Sequence, residues 1–419
     1  MKFKVKDIKL APKGGLMIDW AERHMPVLAT IRRELSRAKS LEGVTVAAAL
    51  HTEAKTAVLV RTLVAAGAEV AITSCNPLST RDEVAAALAK DGINVYAWRG
   101  ETSQEYYNNL NHVLDSGPDV LIDDGADLIS LVHTKRTELL ERVRGASEET
   151  TTGVNRLRVM AADGKLKFPV IAVNDTPAKR LFDNRFGTAE STLQGIMTAT
   201  NTLIAGKQIV VVGYGFVGRG IASRAKGLGA IVTVVETDPI RALETTMDGF
   251  MVARMSEAAC TGDIFITTTG SIGVIRKEHM TRMKDGAILC NAGHFNVEVD
   301  ILSLTKLAVK KREILDDVEE FRFKDGRRIY LLAEGRLVNL AGKRSLGHPM
   351  EIMDMSFALQ ALSVAYLASR GRELKPGVHD VPEEIDRKVA ELKLRSLGIK
   401  VEQPTREQIK YAKSWLLGT

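Results

Sequence analysis

Polar side chains follow four apolar segments in the first half of the chain, directly where each segment ends. Imidazole and carboxylate groups can move protons, and side-chain amides can hold a ligand by hydrogen bonds. In open parallel sheets the carboxyl ends of the strands share one edge, and ligands bind there. The sequence therefore predicts a substrate domain that presents a polar, titratable rim at such an edge, with His51, Asn76, Asp123, Asp124, Asn174 and Asp175 along it.

Two further segments concentrate ionisable groups. Residues 145–153 (GASEETTTG) combine two glutamates with three consecutive threonines. We expect a loop or helix start here with Ser147 as the N-cap, although capping does not require three threonines. Lys179 and Asp183 are four residues apart and so share one face of a predicted helix, where an ordinary surface ion pair is the alternative to a catalytic one.

Two histidines follow later apolar segments. His294 stands in NAGHFNVE, at the end of a predicted strand, and His348 stands in the GHP turn at 347–349. A single histidine in such a place is more often structural than catalytic. These residues alone do not identify a reaction.

Residues 207–236 have the pattern of a dinucleotide-binding strand, turn, helix and strand. Gly213, Gly215 and Gly218 form GYGFVG directly after an apolar strand. The first glycine permits a tight turn, the second lets the backbone approach a pyrophosphate, and the third allows close packing of helix on strand. Glu236 ends the next strand, where a carboxylate accepts from ribose hydroxyls and repels a 2′-phosphate. NAD is therefore predicted rather than NADP.

The composition is that of a globular protein with more than one domain. The chain has 419 residues, 45% of them hydrophobic, and its formal charge of +6 is dispersed rather than gathered in a run. We therefore expect no nucleic-acid partner and no membrane insertion. Three scattered cysteines predict neither a disulfide framework nor a metal site, and the N-terminus does not resemble a signal peptide. A cytoplasmic location is expected.

Apolar segments that alternate with helical stretches predict the α/β class, with two Rossmann-like, doubly wound parallel sheets. The first series of strands ends near residue 173, and the second runs from 207 to 293. Helical segments after residue 340 suggest that the chain returns to the first domain, which makes the cofactor domain an insertion. We expect a substrate domain at 1–183, an NAD domain at 184–342, a return segment at 343–382 and a small helical C-terminal segment at 383–419.

Ten segments in this order resemble the S-adenosyl-L-homocysteine hydrolase family. They are LHTEAKTAVL, CNPLSTRDEVAAAL, VYAWRGET, IDDGADL, SEETTTGV, FDNRFGT, GYGFVGRG, CNAGHFNVE, LLAEGRLVNL and GHP. The resemblance spans nearly the whole chain, and the N-terminal histidine motif and closing residues 415–419 (WLLGT) are similar to the archaeal and thermophilic bacterial branch. It implies reversible hydrolysis of S-adenosylhomocysteine to adenosine and homocysteine. The implied route is 3′-oxidation, elimination, water addition and re-reduction by tightly bound NAD.

The resemblance also implies roles for individual residues. Lys179, beside Asp183, would remove the proton of the 3′-hydroxyl, and this role calls for a lowered lysine pKa that burial can supply. His51 and Asp124 would transfer protons at C4′ and C5′, and Glu149 would orient the ribose. The implied substrate-binding residues are Glu53, Asp124, Glu149, Lys179, Asp183, His294, His348 and Met353, of which Glu53, His348 and Met353 would recognise the purine.

The implied partners are the NAD cofactor, the small-molecule substrate and other copies of the chain. Tyr411 matches a tyrosine that reaches the NAD of a neighbouring subunit, which implies an oligomer, usually a homotetramer. The implied cofactor-binding residues are Thr150, Thr151, Thr152, Asn184, Gly213, Tyr214, Gly215, Phe216, Val217, Gly218, Glu236, Ala292, Gly293, His294, Asn339 and Tyr411.

The chain departs from the family pattern in several places. Glu53 and Lys55 replace the threonine and glutamate of the animal motif, Arg81 replaces a glutamine, and residues 187–191 read GTAES. The loop between Asn339 and His348, which gates the ligand in the family, is longer than usual, and Glu407 stands where a cofactor-contacting lysine is common. We expect altered purine contacts, gating or NAD affinity.

Three other functions remain open from the sequence. S-inosyl-L-homocysteine hydrolase shares the mechanism and differs by only a few purine contacts. A catalytically silent regulatory homologue would bind NAD without turnover, although the implied catalytic residues are all present. A conventional dehydrogenase would exchange its cofactor in each turnover.

Overall fold

The computed structural model describes residues 2–416 and contains two α/β domains, each built on an eight-stranded sheet. The last three residues of the closing WLLGT motif lie outside the described part. The strands of the first sheet are β1 (Lys4–Val5), β2 (Thr45–Ala49), β3 (Glu69–Thr73), β4 (Asn94–Ala97), β5 (Val120–Asp123), β6 (Gly145–Glu148), β7 (Pro169–Ala172) and β16 (Gly377–His379).

The first sheet is parallel throughout, in the order β1-β4-β3-β2-β5-β6-β7-β16. Side chains of β2 alternate between two hydrophobic cores, because successive strand residues point to opposite faces and helices cover both. The covering helices are α1 (Ala11–Arg23), α2 (Pro26–Ala38), α3 (Ala54–Ala65), α4 (Asp82–Lys90), α5 (Ser103–Leu114), α6 (Asp127–Thr134) and α7 (Thr151–Ala162), joined by α15 (Met350–Arg370) and α16 (Glu383–Ser396).

The second domain occupies the chain between β7 and α15. Its strands are β8 (Gln208–Val212), β9 (Ile231–Val235), β10 (Met251–Val252), β11 (Ile264–Thr267), β12 (Ala287–Asn291), β13 (Ala308–Leu315), β14 (Val318–Phe323) and β15 (Arg328–Leu332), in the order β10-β9-β8-β11-β12-β15-β14-β13. The helices from the end of the first domain through the second are α8 (Pro177–Lys179), α9 (Thr188–Thr200), α10 (Phe216–Gly227), α11 (Pro239–Met247), α12 (Met255–Thr261), α13 (Lys277–Met280) and α14 (Ile301–Leu307).

The predicted fold class is confirmed, and the insertion follows from the topology, since β16 rejoins the first sheet after the second is complete. Two local predictions were wrong. Residues 145–148 form strand β6 rather than a loop, so Ser147 lies in the sheet and Thr150 is the N-cap of α7. The second sheet is not wholly parallel, because β13 and β14 add an antiparallel hairpin beside β15.

Helix α15 is long and apolar. Together with the short turn that follows, it forms the single helix of membrane-spanning length and apolarity among the described residues, at 350–373. Within its apolar 18-residue stretch, 72% is buried inside the protein. It packs on α2, α3 and the strands β5 and β6, and is therefore the core helix of the first domain.

Candidate active site

The carboxyl ends of β2 and β5 carry the first pair of candidate residues. These neighbouring strands lie where the strand order of the first sheet reverses, and such a switch point opens a crevice. His51 follows β2 and Asp124 follows β5, so the two side chains meet, with His51 Nε2 3.4 Å from Asp124 Oδ2. The sequence predicted this edge correctly.

His51 is held in an orientation suited to accept a proton. Its Nδ1 is hydrogen-bonded to Ser79 Oγ at 2.7 Å, and the Ser79 hydroxyl donates to the carbonyl of Asn76. Nδ1 therefore donates to Ser79, and Nε2 is left to face Asp124. Burial lowers the pKa of His51 to about 4 although Asp124 opposes the shift, so the imidazole is neutral at neutral pH.

His294 reaches the same point from the second domain. It follows β12, is buried, and places Nδ1 3.5 Å from Asp124 Oδ1. The approach depends on Gly125, whose φ is +109° and where a Cβ would lie 2.3 Å from His294 Nε2. The donor atoms of His51, Asp124 and His294 lie within 4.8 Å of one another, a spacing compatible with a metal ion. The prediction of no metal stays a prediction.

Lys179 ends the short helix α8, and residues Arg180–Gly187 continue as a π-helix. The wider turn brings residues five apart together, and Lys179 Nζ donates to Asn184 Oδ1 at 2.8 Å. The ammonium also lies 3.6 Å from Asp183 Oδ2 and 3.5 Å from Glu149 Oε1. The three ionisable residues are buried, so the pair with Asp183 is not a surface ion pair.

The expected lowering of the Lys179 pKa was wrong for this arrangement. Burial alone would lower the pKa, but Asp183, Glu149 and Asp124 outweigh it and raise the value. Glu149 responds in the opposite sense, because burial raises its pKa to about 8 against the pull of Lys179. The site therefore stores a proton on the glutamic acid next to a charged ammonium.

Helix α15 supplies partners that the sequence did not reveal. Ser356 Oγ donates to Asp183 Oδ2 at 2.8 Å, and Gln360 Nε2 donates to Glu149 Oε2 at 2.6 Å. His348 Nδ1 lies 2.8 Å from Asp183 Oδ1. Burial opposes ionisation of Asp183, but Lys179 and His348 prevail and hold its pKa below the usual range. The sequence signal for Ser356 and Gln360 is their polarity within a mostly apolar helix.

Glu53 and Lys55 form a buried ion pair at the start of α3. Their charged atoms are 2.7 Å apart, and Lys55 Nζ also donates to the carbonyl of Leu346 at 2.7 Å. Glu53 in addition caps α3 by accepting from the amide of Thr56. The longer loop is thus tied directly to Lys55, the partner of the predicted purine-binding residue Glu53.

These side chains line one partly open cavity between the two domains. Met353 and Val217 lie in its wall, so the cavity joins the helical core to the glycine-rich turn. The predicted residues that the structure brings together here are His51, Glu53, Asp124, Glu149, Thr150, Thr151, Lys179, Asn184, Val217, Ala292, His294, His348 and Met353. Asp183 lies directly behind Lys179.

A second groove follows the carboxyl ends of β8 and β9. Gly213 has φ +100°, and a Cβ on Gly218 would lie 2.0 Å from the Gly213 carbonyl, so both glycines are required by the turn. Glu236 accepts from the amide of Tyr214 at 2.7 Å at the edge of this groove. Nothing lies within 4 Å of a Cβ on Gly215 among the described residues, so the turn is open where a pyrophosphate would approach.

The remaining cofactor candidates lie at several different places in the structure. Asn339 is fully buried, and its Oδ1 has no hydrogen-bond partner within residues 2–416, which fits a site built for a further polar group. Thr152 lies against Gly270 beside the groove, and Phe216 begins α10. Tyr214 offers only its backbone, because its ring is buried and its hydroxyl donates to Asp248. Tyr411, on α17 (Arg406–Ala412), is 60% exposed and lines neither cavity.

Comparison with known proteins relates the chain to one family over both domains. The model described as S-adenosyl-L-homocysteine hydrolase matches residues 2–139, and the model of the NAD binding domain of that hydrolase matches residues 184–345. The chain is 60% identical to the S-inosyl-L-homocysteine hydrolase of Methanopyrus kandleri, covering 100% of this chain and 98% of the relative. It is 59% identical to the adenosylhomocysteinase of Pyrococcus abyssi, covering 99% and 98%, and 57% identical to that of Aquifex aeolicus, covering 100% of each.

Proposed function

Because the chain belongs to the S-adenosyl-L-homocysteine hydrolase family, we propose that it reversibly hydrolyses S-adenosyl-L-homocysteine to adenosine and L-homocysteine with retained NAD. The observation that carries the proposal is the single cavity in which Lys179, Asp124 and His51 converge beside the glycine-rich turn. A substrate domain and a cofactor domain contribute to the same wall. A ribose held there would meet both.

NAD fits the second groove. The Gly213–Gly218 turn would hold the pyrophosphate at the start of α10, and Glu236 would accept from the ribose hydroxyls. Asn339, with its orphaned oxygen, would serve the nicotinamide end together with Thr150–Thr152 and Ala292–His294. When bound, NAD supplies reversible removal of hydride from a ribose carbon.

Lys179 and its neighbours handle the 3′-hydroxyl proton in this proposal. Neighbouring carboxyl groups raise the pKa of the Lys179 ammonium, so Lys179 must release a proton before it acts as a base. Glu149, 3.5 Å from Lys179, can take up that proton only after its own carboxyl has ionised, and its pKa of about 8 means that this ionisation requires little free energy near neutral pH. Asp183, fixed by Ser356, keeps the ammonium in place.

Asp124 and His51 handle the protons at C4′ and C5′. Neutral His51 can take a proton at Nε2, and Asp124 stands 3.4 Å away to receive or return it. His294, from the cofactor domain, contacts the other carboxylate oxygen of Asp124, Oδ1. The departing homocysteine sulfur and the entering water would be protonated and deprotonated by this pair.

We also propose that the protein is a cytoplasmic homotetramer in which Tyr411 reaches the NAD of a neighbouring subunit. The support is the exposure of the C-terminal segment, where Tyr411 and Trp415 are 60% and 91% exposed in the single chain. Apolar surface that is contiguous and exposed in a single chain often marks an interface.

The decisive experiment measures homocysteine release from S-adenosyl-L-homocysteine by purified protein without added NAD. Release at catalytic rates supports reaction, substrate and retained cofactor together. Dependence on added NAD with stoichiometric NADH release would instead indicate a dehydrogenase. Bound NAD with neither homocysteine release nor reduction by adenosine would indicate a silent homologue.

Hydrolysis of S-inosyl-L-homocysteine is the second candidate, and the Glu53–Lys55 pair gives it a physical basis. A carboxylate accepts from the 6-amino group of adenine, whereas an ammonium donates to the 6-oxo group of hypoxanthine. The cavity presents both groups, 2.7 Å apart. Parallel assays of S-adenosyl-L-homocysteine and S-inosyl-L-homocysteine distinguish the two functions. Turnover of only the inosyl substrate would replace the primary proposal.

A further inference from the structure

Glu148 is a buried carboxyl to which the proposed reaction assigns no role. It is the last residue of β6, is fully buried, and stands opposite Asp123 in the parallel register with β5. Paired residues of neighbouring strands point to the same face of a sheet, so the two acidic side chains lie side by side in the interior. Such an arrangement is costly unless the carboxyls accept hydrogen bonds.

A single oxygen of Glu148 connects the two loops that carry Asp124 and Glu149. Oε1 accepts from the amide of Gly125 at 2.8 Å and from the amide of Thr150 at 3.0 Å. Gly125 directly follows Asp124, and Thr150 directly follows Glu149. One acceptor atom therefore bridges the two loops beyond the last bond of the sheet.

The surroundings are shaped to this carboxyl. A Cβ on Gly153, in the first turn of α7, would lie 2.2 Å from Glu148 Oε1, so only glycine leaves room for it. On the other side of Gly125 stands His294, which a Cβ would also displace. A shift of the Gly125 amide would thus move Asp124 and its contact with His294 together.

Asp123 holds its own loop in a similar way, through the amides of Asp124 at 2.9 Å and Ile129 at 2.8 Å. Asp123 therefore fixes the start of the Asp124 loop within one strand connection. Glu148 alone of the two carboxyls accepts from both loops.

We propose that Glu148 is a positioning residue that holds the Asp124 loop and the Glu149 loop in register for proton transfer at C4′ and C5′. The proposal rests on the hydrolase function proposed above. In this role, Glu148 acts as a hydrogen-bond acceptor, and its charge is not required.

The electrostatics agree with that role. Burial, reinforced by Asp123 and Asp124, raises the pKa of Glu148 well above its ordinary value. A neutral carboxylic acid retains a carbonyl oxygen that accepts two amide hydrogens. Glutamine has the same shape and the same acceptor, so it is the natural mimic of this residue.

Three variants separate the acceptor from the side-chain volume. Glu148→Gln keeps the acceptor, and Glu148→Leu removes it while filling similar space. Gly153→Ala leaves Glu148 in place but pushes its carboxyl away, and alanine favours the helix, so this variant tests the idea even if Glu148→Leu folds poorly.

The readout is the ratio of two rates: reduction of bound NAD by adenosine, and overall release of homocysteine. Lys179 keeps Asn184 and Asp183 as partners in every variant, and Glu149 keeps its bonds to Gln360 and to the carbonyl of Asp123, so NAD reduction should fall less than homocysteine release. Release should fall by about 100-fold in Glu148→Leu, as expected for loss of alignment, and by less in Gly153→Ala. Glu148→Gln should stay close to the unmodified protein in both rates.

Glu101→Leu is the matched control, because Glu101 is also buried in the first domain and accepts from a backbone amide, that of Trp98, but does not line the cavity. Any loss of activity in Glu101→Leu should affect both rates equally. The same equal loss in Glu148→Leu would overturn the proposal. A Glu148→Gln variant as slow as Glu148→Leu would also overturn it. Deuterium exchange at Gly125 and Thr150 should accelerate only when the acceptor is lost. That measurement decides the loop-holding role even if the unmodified protein released no homocysteine, which would refute the hydrolase function instead.

Discussion

Lys179 is a buried cation whose neighbours make it a poor base until a proton has moved. The carboxyl groups around Lys179 raise its pKa, and one of them, Glu149, holds the nearest exchangeable proton. Catalysis by such a residue depends on the cluster rather than on an isolated lowered pKa.

Replacing Lys179 with Met should reduce the rate of NAD reduction by adenosine by at least about 100-fold, because the proton of the 3′-hydroxyl loses its acceptor. The protein should also lose about 3–5 kcal/mol of stability, since Asp183 is left buried without its cation. NADH absorbance after mixing with adenosine measures the first effect, and thermal unfolding the second. Lys388→Met, which removes an exposed pair with Glu34, is the control. An unchanged rate of NADH formation would remove Lys179 from the proton transfer.

Glu149 predicts a pH dependence of stability with a definite sign. Its pKa rises on folding from 4.5 to about 8, so between these values the folded state holds a proton that the unfolded state has lost. Its contribution is therefore fully present below pH 4.5 and lost as the pH rises through 8. The melting temperature should fall from pH 6 to pH 8.5, and Glu149→Gln should reduce that fall. An identical pH profile in the variant would contradict the assignment.

At the scale of elements, the sequence predicted strand ends well and packing across the chain poorly. His51 and Asp124 were identifiable because polar residues after apolar strands collect at one edge. Strand β6 was not, since its residues GASE have little β propensity and form a strand only because β5 and β7 enclose them. The π-helix after Lys179 has no sequence signature, so the contact with Asn184 was missed.

The hairpin of β13 and β14 was missed for a related reason. Residues of β13 are almost all exposed and mostly charged or long, so no alternation of apolar and polar residues marks the strand. Its partner β14 carries the buried residues Val318, Phe321 and Phe323. Strand β14 pairs with β15, and β13 is ordered because it pairs with β14.

The longer loop and Arg81 form one unit, although the sequence presented them as separate departures. Arg81 donates to the carbonyl of Lys343 at 2.7 Å, and Lys343 in turn pairs with Asp316. Arg81→Gln should weaken this attachment by about 0.5–1.5 kcal/mol and raise KM roughly threefold to tenfold, because Lys55 still holds Leu346. The value of kcat should change little.

Steady-state kinetics on the nucleoside substrate measure this effect. Arg61→Gln, which removes a pair with Asp91 remote from the loop, provides the comparison. A lower kcat with an unchanged KM would show that Arg81 acts on the chemistry rather than on the loop.

At the scale of the whole molecule, the two domains form a closed site while the C-terminal segment has little to pack against. Val389 of α16 is buried, but every described residue of α17 is exposed. Ile399, Val401 and Trp415 present apolar surface of a kind that single chains seldom leave uncovered. In the proposed tetramer, this segment would contact a neighbouring subunit.

Removing residues 401–419 should leave the fold of the two domains intact, because few core contacts are lost. It should abolish the tetramer and reduce the NAD that survives gel filtration, since Tyr411 is removed from the neighbouring site. Light scattering and NAD content per chain measure the two effects, and unfolding by circular dichroism checks the core. Tyr411→Ala separates them, because a point change on an exposed helix should preserve assembly while NAD retention falls. A truncated protein that remains tetrameric and keeps its NAD would show that the segment serves neither purpose.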